Sequence, residues 1–405
     1  MSTRSRRPAA RVFALLAPLV LVALGGCGGG GTQVTNTGTT VVTEQGSYDW
    51  RLPAGFPVPA TPADNPMSTA REELGRFLFY DTRLSGNGQQ SCASCHQQDK
   101  AFTDGLATAV GSTGQAHPRN SQSIVNVAYN TTLTWANPSL SELEAQALVP
   151  IFGDSPIELG VNDLNREQIL DRLRSDTRIS DYPRRFTTAF SADAAPASAI
   201  SWTNIIKAIA VFQRGLIGGD SRFDRFMQGR AFLSAAEERG MNLFNSEQAE
   251  CFHCHTGFNF NDQVRHAATK VVETPFHNTG LYNIDGLGGF PFPNRGVYEL
   301  SGKPEDMGKF RAPSLRNVAV TAPYMHDGSV GTLEEVLDFY AAGGRLITAG
   351  PHAGDGRLNP YKDGLIQRIN LTEQDKADLV AFLRTLTDDD ILTNPRYANP
   401  FPAAN

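Results

Sequence analysis

The sequence predicts a mostly α-helical protein built from two similar halves, with long ordered loops between the helices. Apolar residues recur at helical spacing behind capping pairs such as Ser234 with Glu237. No stretch shows the clear alternation of polar and apolar residues that marks a surface strand. A Cys-x-x-Cys-His pentapeptide occurs at 92–96 and again at 251–255, and each copy follows a predicted helix ending in Leu-Phe and a polar loop. The repeated order indicates an internal duplication.

The pentapeptide is the attachment signature of a c-type haem. Its two thiols can each add to a vinyl group of the porphyrin, and the adjacent His then supplies the proximal nitrogen to the iron. A zinc site would need two further soft ligands, and a redox dithiol would not need the His. Two complete copies favour haem, so we expect two c-type cytochrome domains, each with one covalent haem, held by Cys92, Cys95, His96, Cys251, Cys254 and His255.

Residues 1–27 are predicted to be an export signal. Several arginines precede an apolar run from Val12 to Leu24, which is too short to span a membrane as a stable helix. The run ends in Leu-Gly-Gly-Cys, typical of a bacterial lipobox, which would make Cys27 the lipidated first residue; an ordinary signal peptide with an incidental Cys is the alternative. Four of the five cysteines are used by haem, so no disulfide is expected. The predicted location is periplasmic, with a lipid anchor in a bacterial membrane, the outer membrane being the expected one.

Composition divides the rest of the chain. A flexible Gly- and Thr-rich stalk and a Pro-rich wrap span 28–65, the two haem domains span 66–219 and 220–395, and 396–405 is a tail. The boundary is placed at Gly218-Gly219. A net charge of −6 argues against nucleic acid as a partner.

Capping pairs and apolar periodicity predict the helices in order. Residues 276–308 are expected to be ordered loop at a haem edge. The predicted helices start at Thr69 with Glu72, at Ser141 with Glu144 (through Val149) and at Asn165 with Gln168 (through Leu173), then run over 203–217, from Ser234 with Glu237 through Phe244, over 332–342 with Glu335 as cap, and over 372–386 with Asp375 as cap.

From about residue 66 to residue 390 the sequence resembles the bacterial di-haem cytochrome c peroxidases and their relative MauG. The resemblance is carried, in order, by Leu74-Gly75-Arg76, residues 81–85, 91–96, 102–105, Arg119-Asn120, Gln146-Ala147, residues 311–317 and residues 324–328. Within the family, Asn137-Pro138, residues 149–153, Glu158-Leu159-Gly160 and residues 277–282 are most similar to the MbnH-like branch, whose MauG-type enzymes oxidise tryptophan in a partner protein.

The resemblance implies a sixth ligand for the second haem. In the peroxidases a Met binds this iron fourteen residues after the His of the His-Asp-Gly turn, and in MauG a Tyr does. Counting from His326 reaches Tyr340. A thioether favours ferrous iron, whereas a phenolate favours ferric and more oxidised iron, as the bis-Fe(IV) state of MauG requires. Tyr340 also belongs to an apolar helical stripe, so a core residue is the alternative.

For the first haem, the resemblance implies the peroxide site. Ser112 stands where the peroxidases place a distal His, so this iron is expected to be open. His117 is expected to be a loop residue, and the alternative is that it reaches back to this iron. Gln146 and Glu158 match the distal pair of the family, with two extra residues between them. Gln146 would orient the peroxide, and Glu158 would move a proton between its oxygens. The alternatives are a surface Gln and a solvent-facing acid.

Other implied roles lie between the haems and at the exit route. Trp135 matches a Trp that relays electrons between the irons, with a core residue as the alternative. MauG passes oxidation out through a Trp two residues before its second pentapeptide, and that position is Ala249 here, so the exit route must differ. A calcium ion between the haems would be bound by Asn120, Thr321 and Pro323.

Two functions from different classes follow, with a third behind them. The first is an enzyme that uses hydrogen peroxide to oxidise a Trp of an exported partner protein. The second is a cytochrome c peroxidase that reduces peroxide with electrons from a small redox protein. A plain electron-transfer cytochrome is the third, and Gln146 with an open first haem disfavours it. A monomer is expected.

Overall fold

The computed structural model describes residues 48–177, 180–190 and 199–402. The predicted signal segment 1–27, the lipidation site Cys27 and the stalk up to residue 47 lie outside the described residues. The α-helices are Thr69–Tyr80 (α1), Cys92–Cys95 (α2), Leu143–Gln146 (α3), Leu148–Phe152 (α4), Arg166–Arg174 (α5), Tyr182–Phe190 (α6), Trp202–Arg214 (α7), Arg222–Met227 (α8), Ala235–Phe244 (α9), Tyr298–Ser301 (α10), Leu333–Ala342 (α11), Glu373–Arg384 (α12) and Asp389–Thr393 (α13).

Strand structure is slight in the described residues. Leu346–Ile347 (β1) pairs antiparallel with Gly354–Asp355 (β2). Short 3-10 turns fill several loops, at Thr82–Leu84, Gln98–Lys100, Val127–Tyr129, Cys251–His253, Pro304–Asp306, Val318–Val320 and Gly356–Leu358. The predicted mostly α class with long loops is confirmed. None of the described helices has the length and apolar character needed to span a bilayer.

Two helix pairs cross in the same way in the two halves. Helix α1 crosses α7 so closely that a Cβ added at Gly75 would lie 1.9 Å from the carbonyl oxygen of Ala208. Helix α9 crosses α12 equally closely, and a Cβ at Gly240 would lie 1.9 Å from the carbonyl oxygen of Asp378. Only Gly permits such an approach. The equivalent crossings support the predicted duplication.

Buried apolar side chains gather around each crossing. The first cluster includes Leu74 and Phe212, and the second includes Phe244 and Phe382. Ile391, from the far end of the chain, packs into the first cluster, so that half is completed by residues beyond the second haem motif. The domain boundary at Gly218-Gly219 stays a prediction.

Three predicted capping boxes are confirmed. Ser234 with Glu237, Thr332 with Glu335, and Thr372 with Asp375 each exchange both hydrogen bonds at the starts of α9, α11 and α12. In these boxes the Oγ atom accepts from the backbone N–H three residues on, and the carboxylate accepts in return.

The predicted start of α1 was wrong by one residue. The cap is Ser68, whose Oγ accepts from the N–H of Arg71. Glu72 does not complete a box, because its carboxylate accepts from Arg396 at 2.7 Å and from the Tyr48 hydroxyl at 2.8 Å. A cation from the far end of the chain outcompetes the local N–H group.

Two further boxes were also wrong. Glu144 forms an ion pair with buried Arg214 at 2.9 Å, and the chain forms α3 and α4 without a side-chain cap. Asn165 precedes α5 but donates from its amide to the carbonyl of Gly160. Helix α7 ends at Arg214, three residues earlier than predicted. Helices α2, α6, α8 and α13 were not predicted, and the short α10 lies inside the expected loop 276–308.

Candidate functional site

The first pentapeptide begins on a single helical turn. Cys92 and Cys95 lie on α2, and a box between Ser91 and Ser94 holds the start of that turn. The Nδ1 atom of His96 lies 2.8 Å from the carbonyl oxygen of Phe102. Since a carbonyl only accepts, Nδ1 carries the proton and Nε2 keeps the lone pair that an iron needs. Burial lowers the pKa of His96, which favours this neutral form.

The second pentapeptide repeats this arrangement. His255 places Nδ1 3.2 Å from the carbonyl oxygen of Phe260. Phe260 has φ 50°, as Phe102 has φ 60°, and both turns aim a carbonyl back at the preceding His. The four cysteines of the motifs form no disulfide.

A large apolar cavity lies beside His255. The cavity and its mouth, which opens to solvent, together have a volume of about 1430 Å³. One face of α11 lines it, and α12 and the segment 365–367 line other walls. The apolar stripe of α11 therefore faces this cavity rather than a dry helix interface, and its members are Leu333, Val336, Leu337 and Tyr340.

Buried polar atoms test whether this cavity fits a haem. Arg311 lines the cavity and is 4% exposed, yet its Nε and Nη1 atoms have no hydrogen-bond partner among the described residues. Its Nη2 donates to the amide oxygen of Gln122. Burial lowers the pKa of Arg311 to about 10, so the group remains cationic near neutral pH. An unpaired buried guanidinium is costly, and a haem propionate would satisfy it. The residues fit the cofactor.

Three side chains in the cavity could serve as a further iron ligand. Tyr340 lines it together with His255, and so do Met325 and His326. Burial raises the pKa of Tyr340 above its usual value of 10, so the phenol keeps its proton unless a cation binds the oxygen. Met325 was missed at the sequence level, although it immediately precedes His326.

Glu158 lies near the first pentapeptide. Burial is the main cause of the raised pKa of Cys92 and Cys95, and the charge of Glu158 raises both further. The backbone at 158 is fixed, because the N–H of Ser112 donates to the Glu158 carbonyl at 2.7 Å and the N–H of Leu159 donates to Pro150 at 2.9 Å. The two extra residues therefore do not remove Glu158 from this site.

His117 contacts Glu158 directly. Its Nε2 atom lies 3.4 Å from Oε1 of Glu158. Nδ1 of His117 lies 3.2 Å from both the N–H and the carbonyl oxygen of Arg119, so it can accept or donate there, while Nε2 faces the carboxylate. His117 lies in a loop, and its ring contacts the candidate acid Glu158.

Trp135 lies where the two halves meet. Its Nε1 donates to the carbonyl oxygen of Asn120 at 2.8 Å, and its own carbonyl accepts from the N–H of Arg311 at 2.8 Å. Trp135 and Ala249 are both buried, and both line the cavity beside His255. Gln146 ends α3 and is half-buried.

The three predicted calcium ligands lie on two neighbouring segments. The N–H of Asn120 donates to the carbonyl of His326 at 2.8 Å, which brings Asn120 beside the segment that contains Thr321 and Pro323. The side-chain amide of Asn120 donates to Leu106. A calcium ion at this place stays a prediction.

Comparison with protein families and known proteins gives consistent matches. Residues 69–231 match the family model described as di-haem cytochrome c peroxidase. The chain is 37% identical over 371 residues to the cytochrome-c peroxidase IdrP1 of Denitromonas iodatirespirans, covering 84% of this chain and 88% of the relative. It is 31% identical over 369 residues to the methylamine utilization protein MauG of Methylorubrum extorquens, covering 89% and 92%.

Solved structures agree with this match. A crystal structure of a MauG-like protein associated with microbial copper homeostasis is 55% identical, with a TM-score of 0.85, and covers 87% of this chain and 99% of its own. The di-haem peroxidase BthA of Burkholderia thailandensis is 23% identical with a TM-score of 0.60, covers 84% of this chain and 90% of its own, and shares the fold.

Proposed function

The chain belongs to the di-haem cytochrome c peroxidase and MauG family of oxidoreductases, and from that premise we propose that it uses hydrogen peroxide to oxidise a partner protein at Trp. The family implies two c-type haems, and the residues of both pentapeptides fit them. The observation that supports this branch of the family is that Tyr340 lines the cavity of the second haem together with His255.

At the first haem, Glu158 and Gln146 act on the peroxide. The haem that Cys92, Cys95 and His96 would hold would supply the chemistry of O–O cleavage. Gln146 orients the peroxide, and Glu158 accepts the proton of one oxygen and delivers it to the other. Nε2 of His117 lies 3.4 Å from the Glu158 carboxylate and restricts its orientation. Ser112 stands where the peroxidases place a distal His. The nearby His117 contacts Glu158 and Arg119.

Between the haems, Trp135 lies in reach of both halves. Trp135 lines the cavity beside His255, and its Nε1 donates to the carbonyl of Asn120, in the half that carries the first pentapeptide. An aromatic ring in this position can relay an electron from one haem to the other. A phenolate from Tyr340 would stabilise oxidised iron, so that oxidising equivalents are shared between the two haems.

A second candidate is a cytochrome c peroxidase that draws electrons from a small redox protein. The observation that favours it is Met325, whose thioether lines the same cavity as Tyr340. A thioether ligand would raise the potential of the second haem and suit it to accept electrons.

Addition of hydrogen peroxide to the diferric holoprotein tests the choice. We expect a near-infrared charge-resonance band between the haems without prior reduction, and its loss in Tyr340→Phe. Met325→Leu is the matched control and should retain the band. Activity only after half-reduction of the protein, together with loss of a low-spin signal in Met325→Leu and not in Tyr340→Phe, would overturn the proposal in favour of the peroxidase.

The partner and the location are also proposals. The structure at 55% identity is described as associated with copper homeostasis, and we place the partner of this chain in the same process. The predicted lipobox at Cys27 supports a lipid-anchored periplasmic enzyme. Co-purification of an exported Trp-containing protein from the outer membrane, and its absence after Cys27→Ser, would test both.

A further inference from the structure

His277 lies between two carboxylates. Its Nε2 is 2.6 Å from Oδ2 of Asp262, and its Nδ1 is 2.6 Å from Oδ2 of Asp363. The three side chains are mostly buried, with 16% of His277, 12% of Asp262 and 25% of Asp363 exposed. They come from three separate segments of the chain, so only the tertiary structure brings them together. We call them the acidic triad.

The acidic triad lies at the edge of the second haem site. His277 lines the cavity, and the sulfur of Cys254, a carboxylate oxygen of Asp262 and a ring nitrogen of His277 all lie within 4.8 Å of one another. The Cys254 sulfur is used to attach the haem, so the cluster is not a separate metal site. The triad would therefore lie beside the thioether that Cys254 forms with the porphyrin.

The net charge of the acidic triad is negative. Both ring nitrogens of His277 lie 2.6 Å from carboxylate oxygens, so the ring can donate from both. Burial lowers the pKa of His277, but the hydrogen bonds to Asp262 and Asp363 outweigh burial and raise the pKa above its usual value. One imidazolium and two carboxylates leave one negative charge. The Oδ1 atom of Asp262 has no hydrogen-bond partner among the described residues. Two cations act on the triad: Arg311 interacts with Asp262, and Lys309 interacts with Asp363. Lys309 also forms an ion pair with Asp306 at 3.1 Å.

We propose that the acidic triad holds one net negative charge against the second haem and thereby lowers the reduction potential of that haem. A negative charge in a poorly solvated site stabilises the more positive, oxidised iron. His277 acts as a positioning residue, because its two N–H groups hold both carboxylates in a place where they would otherwise repel each other. Asp363 also lies two residues before the segment 365–367 that lines the cavity.

Removal of one negative charge tests the proposal. The variants are Asp262→Asn and Asp363→Asn, and Asp378→Asn is the control because that buried carboxylate pairs with Arg239 outside the cavity lining. The midpoint potentials of both haems are measured by spectroelectrochemical titration of holoproteins that carry two haems per chain, with EPR assigning each signal. We expect a positive shift of the second haem, larger for Asp262→Asn because Asp262 is less exposed, and no shift in the control.

Loosened packing predicts the opposite sign. Water entering the cavity would stabilise ferric iron and lower the potential, so a positive shift identifies the lost charge. An unchanged or lowered potential of the second haem in both Asp variants would overturn the proposal. The titration uses no peroxide, and its outcome is therefore independent of which oxidation the enzyme performs.

Discussion

Replacing the carboxyl of Glu158 by an amide tests the chemistry of the first haem site. Glu158→Gln keeps the size of the side chain and the backbone contacts at residue 158 but cannot move a proton. General acid–base assistance contributes about 10²- to 10⁴-fold to a rate. The Glu158 side chain is 31% exposed, so water can replace part of the transfer. We therefore expect a loss near the lower limit, about 10²-fold, which corresponds to about 2.7 kcal/mol.

The assay is stopped-flow mixing of the diferric holoprotein with hydrogen peroxide, followed in the Soret band. Glu167→Gln is the matched control, because Glu167 is an exposed carboxylate on α5 that pairs with Arg174. His117→Gln should show a smaller loss than Glu158→Gln, since the acid remains but its orientation is less restricted. A Glu158→Gln protein that reacts as fast as the control would refute the assignment of Glu158 as the distal acid.

Three further predictions concern the fold around the sites. The carboxylate of Asp224 is 8% exposed and lies 2.8 Å from the Arg316 guanidinium, so Arg316→Met leaves a buried charge unpaired. We expect chemical denaturation to show a free energy of unfolding lower by about 3–5 kcal/mol. A loss below about 1 kcal/mol, typical of a surface pair, would contradict this. Gly240→Ala places a Cβ against the carbonyl of Asp378 and should cost about 1–3 kcal/mol by overpacking, visible as a lower Tm with both haems still attached. Burial lowers the pKa of His326 from 6.5 to about 4, so the unfolded chain takes up a proton that the folded chain refuses. Stability should therefore fall by on the order of 3 kcal/mol as the pH drops from 6.5 to about 4, and His326→Leu should flatten that slope.

Local sequence was sufficient for the class of fold and the helix starts with complete capping boxes, and it also predicts the haem attachment sites. The pentapeptides are contiguous, and boxes such as Thr332 with Glu335 need only residues three positions apart. Both follow from chemistry within one turn. The repeated order of helix and pentapeptide likewise indicated the duplication that the crossings at Gly75 and Gly240 support.

The tertiary structure decided what depends on residues far apart in the chain. Glu72 and Glu144 were predicted as caps but pair with Arg396 and Arg214, because an available buried cation attracts a carboxylate more strongly than a neutral N–H group does. The contact of His117 with Glu158 likewise joins two residues that are far apart in the chain.

The acidic triad shows the same limit most clearly. Asp262, His277 and Asp363 have no common spacing, and nothing in the sequence connects them. Their net charge beside Cys254 exists only because three loops meet at one wall of the cavity. Sequence specifies which groups a haem can bind to, whereas folding specifies which charges surround it, since electrostatic interactions depend on distance in space and not along the chain.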